Sequence, residues 1–214
     1  MYSTGESFPI DEFESGSYLV AGPTMTGKYE LILDLMITGF DDGEGALLVS
    51  TNRDAESVIE DFEDRGGEPP SLLRLVDCVS EQQNAPGALS EGVVEYVSSP
   101  ADLTGIGIGV SEQLQDLGDQ RVNGVRIGFY SLSTLLMYAE VETVFRFLHV
   151  LTGRVSGADG LGLFAIDPTT HDQGTVNTLK QLFDGMIEMR DEDGSRQIRF
   201  QGLEDMPDEW LEYG

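Results

Sequence analysis

Residues 22 to 29, Gly-Pro-Thr-Met-Thr-Gly-Lys-Tyr, constrain this chain more than any other segment. They lie between an apolar run, Ser17-Tyr-Leu-Val-Ala-Gly22, and a segment with helical spacing through Leu31, Leu35 and Met36. A glycine-rich turn in that place wraps an anion with backbone N–H groups, helped by the positive end of the helix dipole. The phosphate-loop pattern G-x-x-x-x-G-K-[ST] is met by Gly22, Gly27 and Lys28, with Pro23, Thr24, Met25 and Thr26 between them, and is broken only by Tyr29. The order strand, loop, helix is what such a turn needs, and it asks for an α/β fold.

The rest of the chain agrees. Further apolar runs at Ala46–Thr51, Leu72–Val79, Val122–Ser131 and Gly160–Ile166 alternate with helical patterns. That alternation predicts a mostly parallel central sheet with helices on both faces. Asp54 is placed to cap a helix AESVIEDFEDRG that stops at Gly66-Gly67, and Ala101–Leu117 has helical spacing despite its glycines. Gly105, Gly107 and Gly109 are therefore no dinucleotide fingerprint, because they fall inside a helix. Residues Ser80–Pro100 read as an irregular excursion, and one long helix is expected through Leu132, Leu135, Leu136, Phe145 and Leu148. A helix around Thr175–Phe183 leads to a C-terminal β-hairpin, Gly185–Arg190 with Gln197–Gln201, turning at Asp193-Gly194. The expectation is a single domain over residues 1–214, with a leader at 1–15 and a solvated acidic tail at 204–214.

Charge adds a second constraint. The chain has 39 acidic and 12 basic residues among 214, for a formal net charge of −27. Self-repulsion of that size opposes compaction in dilute buffer, while salt near 1 M shortens the Debye length to roughly 3 Å and screens it. The acids are spread along a chain whose apolar periodicity is intact, which fits the surface of a halophile's protein. No basic patch is present, so direct nucleic-acid binding is not expected. No apolar run is long enough to span a membrane and no signal peptide is visible, so a cytoplasmic location is expected. Cys78 stands alone within an apolar run and reads as a buried structural thiol.

Two features bear on catalysis. A Ser or Thr hydroxyl after the lysine holds the Mg²⁺ of a bound nucleotide, and an Asp on a later strand supports it. Tyr29 stands at the first position and Tyr130 at the second. With these residues, GPTMTGK, the segment SSPADLTGIGIGVSEQL, Ser131-Leu-Ser133 and Thr178-Leu-Lys-Gln-Leu-Phe-Asp-Gly-Met-Ile-Glu-Met-Arg190, the chain resembles the KaiC-like branch of the RecA superfamily of P-loop ATPases, in a haloarchaeal version with degenerate motifs.

The resemblance implies a RecA-like P-loop domain with Gly22, Pro23, Thr24, Met25, Thr26, Gly27, Lys28 and Tyr29 as the nucleotide-binding residues. It implies ATP as ligand without a secure place for Mg²⁺. Family members carry a Glu pair after the second strand, where this chain has Ser50-Thr51-Asn52-Arg53-Asp54, and a basic pair near the last strand that acts on a neighbour in a ring. Here only Arg196 and Arg199 are available for that role. The expected function is a non-catalytic regulatory protein with a protein partner, as a monomer or a homo-oligomer. The alternatives are an active atypical ATPase using Asp54 or Asp167, and a mediator-like partner of a RecA-type recombinase. His149 reads as a packed core or edge histidine, and Asp167, Thr170 and His171 as a polar loop near a pocket mouth.

Overall fold

Continuous apolar runs become strands buried on both faces when helices cover the sheet from either side. In the computed structural model, which describes residues 1–5, 8–66, 71–81, 92–203, 206 and 208–213, those runs form the middle of one sheet. The chain starts with β1 (Tyr2–Ser3), β2 (Glu12–Phe13), β3 (Gly16–Ala21), α1 (Lys28–Thr38), β4 (Gly45–Ser50), α2 (Ala55–Gly66) and β5 (Leu73–Asp77). It continues through β6 (Val94–Tyr96), α3 (Leu103–Asp119), β7 (Val125–Tyr130), α4 (Leu132–Tyr138), α5 (Val141–Gly157) and β8 (Leu161–Ile166). It ends with α6 (Gln173–Lys180), β9 (Gly185–Glu192), β10 (Ser195–Gln201) and β11 (Leu211–Glu212).

The sheet order is β11-β10-β9-β3-β8-β7-β4-β5-β6. Strands from β9 to β6 in that order are parallel, and β10 and β11 add to the edge antiparallel. Alternate residues of each strand feed two cores. Val20, Leu48 and Leu163 pack with Leu31, Ile32 and Phe62 of α1 and α2. Leu19, Val49 and Ile127 pack with Ile106, Leu148 and Leu179 of α3, α5 and α6. The mostly parallel α/β sheet with both faces covered is thus as expected. So is the hairpin: Asp193 and Gly194 both have positive φ (54° and 83°), the backbone that a tight two-residue turn demands and an Asp-Gly pair accepts.

The topology fixes where a ligand can sit. From β3 the chain crosses by α1 towards β4, on one side, whereas from β8 it crosses by α6 towards β9, on the other. Adjacent strands whose connections diverge leave a crevice at their carboxyl ends. The loop after β3 and Asp167 after β8 border that crevice.

Four expectations change. The single long helix is two, because Ala139 (φ −138°, ψ 150°) and Glu140 (φ −64°, ψ 148°) are extended. The Glu140 carbonyl then accepts from the N–H groups of Thr143 and Val144 and restarts the helix. No Pro or Gly marks that break, so periodicity runs through it. The excursion at 80–100 contains a strand, β6, pairing parallel with β5, while residues 82–91 within it lie outside the described residues. The leader is folded: β1 and β2 pair, and Tyr2, Phe8 and Phe13 enter the core. The tail is not simply solvated, since β11 pairs with β10 and Tyr213 is buried with its hydroxyl donating to Asp34 at 2.9 Å. Glu204, Asp205, Pro207, Gly214 and the Gly67 of the expected helix stop lie outside the described residues. Cys78 is buried as expected, and burial pushes its thiol up.

One buried cation ties the amino edge together. Arg126 of β7 is 0% exposed, pairs with Glu44, and donates to the carbonyls of Ser3 at 2.7 Å and Leu35 at 2.5 Å. Leaving such a charge without its carboxylate is costly, whereas an exposed pair such as Arg65–Asp34 is worth little. Glu44→Ala is therefore expected to destabilise the fold by about 3–5 kcal/mol and Arg65→Ala by under about 1 kcal/mol. Urea denaturation at constant salt checks this, and equal losses for the two variants would remove Arg126 from the centre of that network.

Candidate functional site

A helix that begins without a side-chain cap leaves its first N–H groups open to whatever lies in front of it. Helix α1 begins this way: its cap is Gly27, in left-handed backbone (φ 88°), with no side-chain hydrogen bond. Among the described residues, the amides of Thr24, Met25, Thr26, Gly27 and Lys28 donate to no backbone or side-chain acceptor. Thr26, Gly27 and Lys28 are buried residues, so these donors call for an acceptor there.

The loop is held in shape by its own polar groups. Lys28 Nζ donates to the carbonyls of Gly22 at 2.7 Å and Pro23 at 2.6 Å, and Thr26 Oγ1 donates to Pro23 at 2.9 Å. Burial holds the Lys28 ammonium below its ordinary pKa, against the opposing pull of Asp167 and Glu30. Gly22 admits no side chain, since a Cβ there would stand 2.6 Å from the Met189 carbonyl. Met25 closes the tip with positive φ (71°) and its side chain 89% exposed. The eight expected residues thus run through the loop at the carboxyl end of β3 into the start of α1, where Lys28 and Tyr29 lie.

Tyr29 and Tyr130 meet. Their ring centroids lie 4.9 Å apart at 49°, and the Tyr29 hydroxyl donates to Asp61 of α2 at 2.9 Å. Arg53 lies 4.7 Å over the Tyr29 ring and bonds the same carboxylate at 2.6 Å, although its Nε has no acceptor among the described residues. Burial first, and then the Asp61 carboxylate, push the Tyr29 hydroxyl up; burial does the same for Tyr130. A hydrated Mg²⁺ needs a short hydroxyl and a carboxylate at these two positions. The residues present offer two phenol rings packed at a tilt instead, Tyr29 buried and Tyr130 half-buried, so they do not fit that ion.

The other carboxylates considered as replacements are committed. Asp54 caps α2, accepting from Ser57 N at 2.9 Å and Ser57 Oγ at 3.0 Å. Asp167 accepts from Thr24 Oγ1 at 2.8 Å, Thr169 N at 2.9 Å and Thr169 Oγ1 at 2.6 Å. Thr170 and His171 line a cavity of about 600 Å³ with Met137, Tyr138 and Glu140, where His171 Nε2 is buried and unpartnered among the described residues. His149 is exposed on α5, outside the core.

Sequence reasoning missed three groups. Asp77, buried at the end of β5, accepts from the amides of Ala55, Val79 and Ser80 and anchors α2. The Arg53–Asp61 pair is separated along the chain and left no motif. Arg196 was read only as a candidate for acting on a neighbour; it lies against its own loop, with its Cζ 3.1 Å from where a Gly27 Cβ would stand.

A family model of unknown function, DUF7504, matches residues 15–189, a span from β3 into β9 that includes the whole loop. The chain belongs to that family. No curated protein matches it in sequence. Among solved structures, it is similar to the KaiC-like protein PH0186 from the hyperthermophilic archaeon Pyrococcus horikoshii OT3, at 12% identity with a TM-score of 0.63. The superposition covers 94% of this chain and 84% of that one. The DUF7504 chain therefore has the RecA-like fold of KaiC-like proteins. Among its described residues, no helix is long and apolar enough to cross a membrane.

The hydrogen bonds to Asp167 predict a pH dependence. Burial raises its pKa, but the bonds from Thr169 and Thr24 outweigh that and leave it below its ordinary value of 3.8. A carboxylate depressed on folding adds stability above its unfolded pKa and loses it as pH falls through the folded value. Wild type is expected to exceed Asp167→Asn in stability at pH 7, with the gap closing below about pH 4. Urea midpoints of both proteins between pH 7 and pH 3 check this; a gap that does not narrow speaks against it.

Proposed function

We propose that this chain is a RecA-like regulatory protein that binds ATP at Gly22–Tyr29 without hydrolysing it. The reading is carried by one contrast: the anion cradle of open amides around Lys28 is complete, while the metal and carboxylate positions hold the Tyr29–Tyr130 pair. Phosphoryl transfer depends almost wholly on positioning and charge stabilisation, so losing the metal ligands removes most of the rate. Binding depends on the cradle and Lys28, which remain.

Regulation through a protein partner follows from a fold that keeps a ligand site without its chemistry. Met25 at the loop tip and Met137 and Tyr138 at the end of α4 are exposed apolar side chains suited to such a partner. The formal charge of −27 is read as adaptation to a high-salt cytoplasm. The same charge disfavours direct contact with nucleic acid. Commitment of Asp54 and Asp167 to capping and loop contacts weighs against the active-ATPase alternative.

Calorimetric titration of ATP at about 2 M KCl, where surface charge is screened, tests the reading. Saturable binding is expected for wild type and not for Lys28→Ala, with no phosphate release from either. Phosphate release by wild type that disappears in Lys28→Ala would establish the ATPase instead.

A further inference from the structure

We infer that the loop takes its nucleotide without a divalent cation, and that Arg196 of the same chain supplies part of the charge compensation. This rests on the loop being the nucleotide site. Metal-bound nucleotide is the usual ligand of such loops because the ion neutralises part of the polyphosphate and bridges it to a Ser/Thr hydroxyl. Here the bridge is closed off by named contacts: Tyr29 on Tyr130, Arg53 over Tyr29, and Asp61 engaged by both Tyr29 and Arg53. Admitting a hydrated ion would mean parting Tyr29, which is buried, from Tyr130 and breaking its hydrogen bond to Asp61.

A polyphosphate without metal needs another cation, and the hairpin provides one. Of its three arginines, Arg190 is spent on Gln197, Glu192 and the face of Trp210. Arg199 is spent on Glu188 and the same ring. Arg196 has no carboxylate partner among the described residues, and its cross-strand neighbour Asp191 accepts from the Gly194 amide in the turn. The Arg196 guanidinium instead lies along Gly27, its Cζ and Nη1 each 3.1 Å from the position of a Cβ there. Any side chain at Gly27 would displace it. That seats a planar, permanently charged group beside Gly27, where the amides of Gly27 and Lys28 are open, and a guanidinium is the side chain suited to gripping phosphate oxygens.

The acids near the loop sharpen the point. Glu30 and Asp167 both act on Lys28, and Asp167 is held by Thr24 and Thr169. With two carboxylates close by, Lys28 alone is a weak counter-charge for a polyphosphate, and Arg196 redresses the balance from within the same subunit. The arrangement needs no neighbouring copy.

The test is calorimetric titration of ATP into the full chain at constant KCl, once with EDTA and once with excess Mg²⁺. Affinities equal within about threefold in the two conditions are expected, with Arg196→Ala weakening both by about tenfold and Arg199→Ala by neither. Unchanged thermal unfolding of Arg196→Ala excludes a general loss of fold. Binding that requires Mg²⁺, or tightens with it by about tenfold or more, overturns the metal-free site. Wild-type affinity in Arg196→Ala overturns the role of that residue. No ATP binding in either condition overturns the nucleotide reading beneath both.

Discussion

Helix α1 is held near its carboxyl end, and the shape of the site depends on it. At its carboxyl end, Arg126 takes the Leu35 carbonyl in a fully buried contact that also binds Glu44 and Ser3. Gly39, just past the helix, leaves room for that guanidinium: a Cβ there would sit 2.5 Å from its Nε. At its amino end, the helix starts directly from Gly27 with its first amides open. Between the two, Leu31, Ile32, Leu35 and Met36 are buried against the sheet. A rod fixed at one end and packed along its length delivers its other end to a defined point. That point is the crevice where the connections from β3 and β8 diverge.

Much of this was legible in the sequence, for specific reasons. The loop was found because its chemistry is local: glycines that admit close backbone approach and a lysine at fixed spacing. The central strands were found because burial on both faces leaves continuous apolar runs such as Leu-Leu-Val in β4. What escaped was non-local or carried no punctuation. The break at Ala139-Glu140 has neither Pro nor Gly, so helical spacing passes across it. Leader and tail look polar, yet each contributes aromatic side chains to the core, Phe13 and Tyr213 among them. The Arg53–Asp61 pair and the contact of Arg196 with Gly27 join segments that only the folded sheet brings together. The resemblance to KaiC-like proteins held for the fold, where a low sequence identity leaves the architecture recognisable but says nothing of activity.

Acidic excess gives the remaining cations more meaning than they would have elsewhere. With 39 acids to 12 bases, a randomly placed arginine meets a carboxylate easily. Arg53, Arg65, Arg74, Arg126, Arg190 and Arg199 all do so. Arg121, Arg146, Arg154 and Lys180 make no ion pair among the described residues, and neither do Lys28 and Arg196, but these last two lie at a loop whose amides are also unpaired. Three kinds of donor, ammonium, guanidinium and backbone N–H, converge on one small volume of an otherwise negative molecule. Surface pairs in such a protein are screened by salt, but donors half enclosed by the loop are screened much less.

The tyrosine pair bears on how a ligand at the loop could act, because it joins α1 to β7. In a metal-dependent loop, much of the energy of nucleotide binding flows through the ion to the strand that carries the second carboxylate. Here β7 ends in Tyr130, whose ring packs on Tyr29, so β7 and α1 are coupled by apolar contact whether or not a ligand is present. On the reading proposed above, ligand energy would enter through the loop itself and through Arg196. Arg196 sits on β10, and its carbonyl accepts from the Tyr213 amide of the segment that follows β11. Tyr213 in turn donates to Asp34 on α1, which closes a circuit from loop to hairpin to tail and back to the helix. A loop wired to the chain's own edge in this way is suited to changing a surface, because its contacts run through β10 to the tail and back to α1.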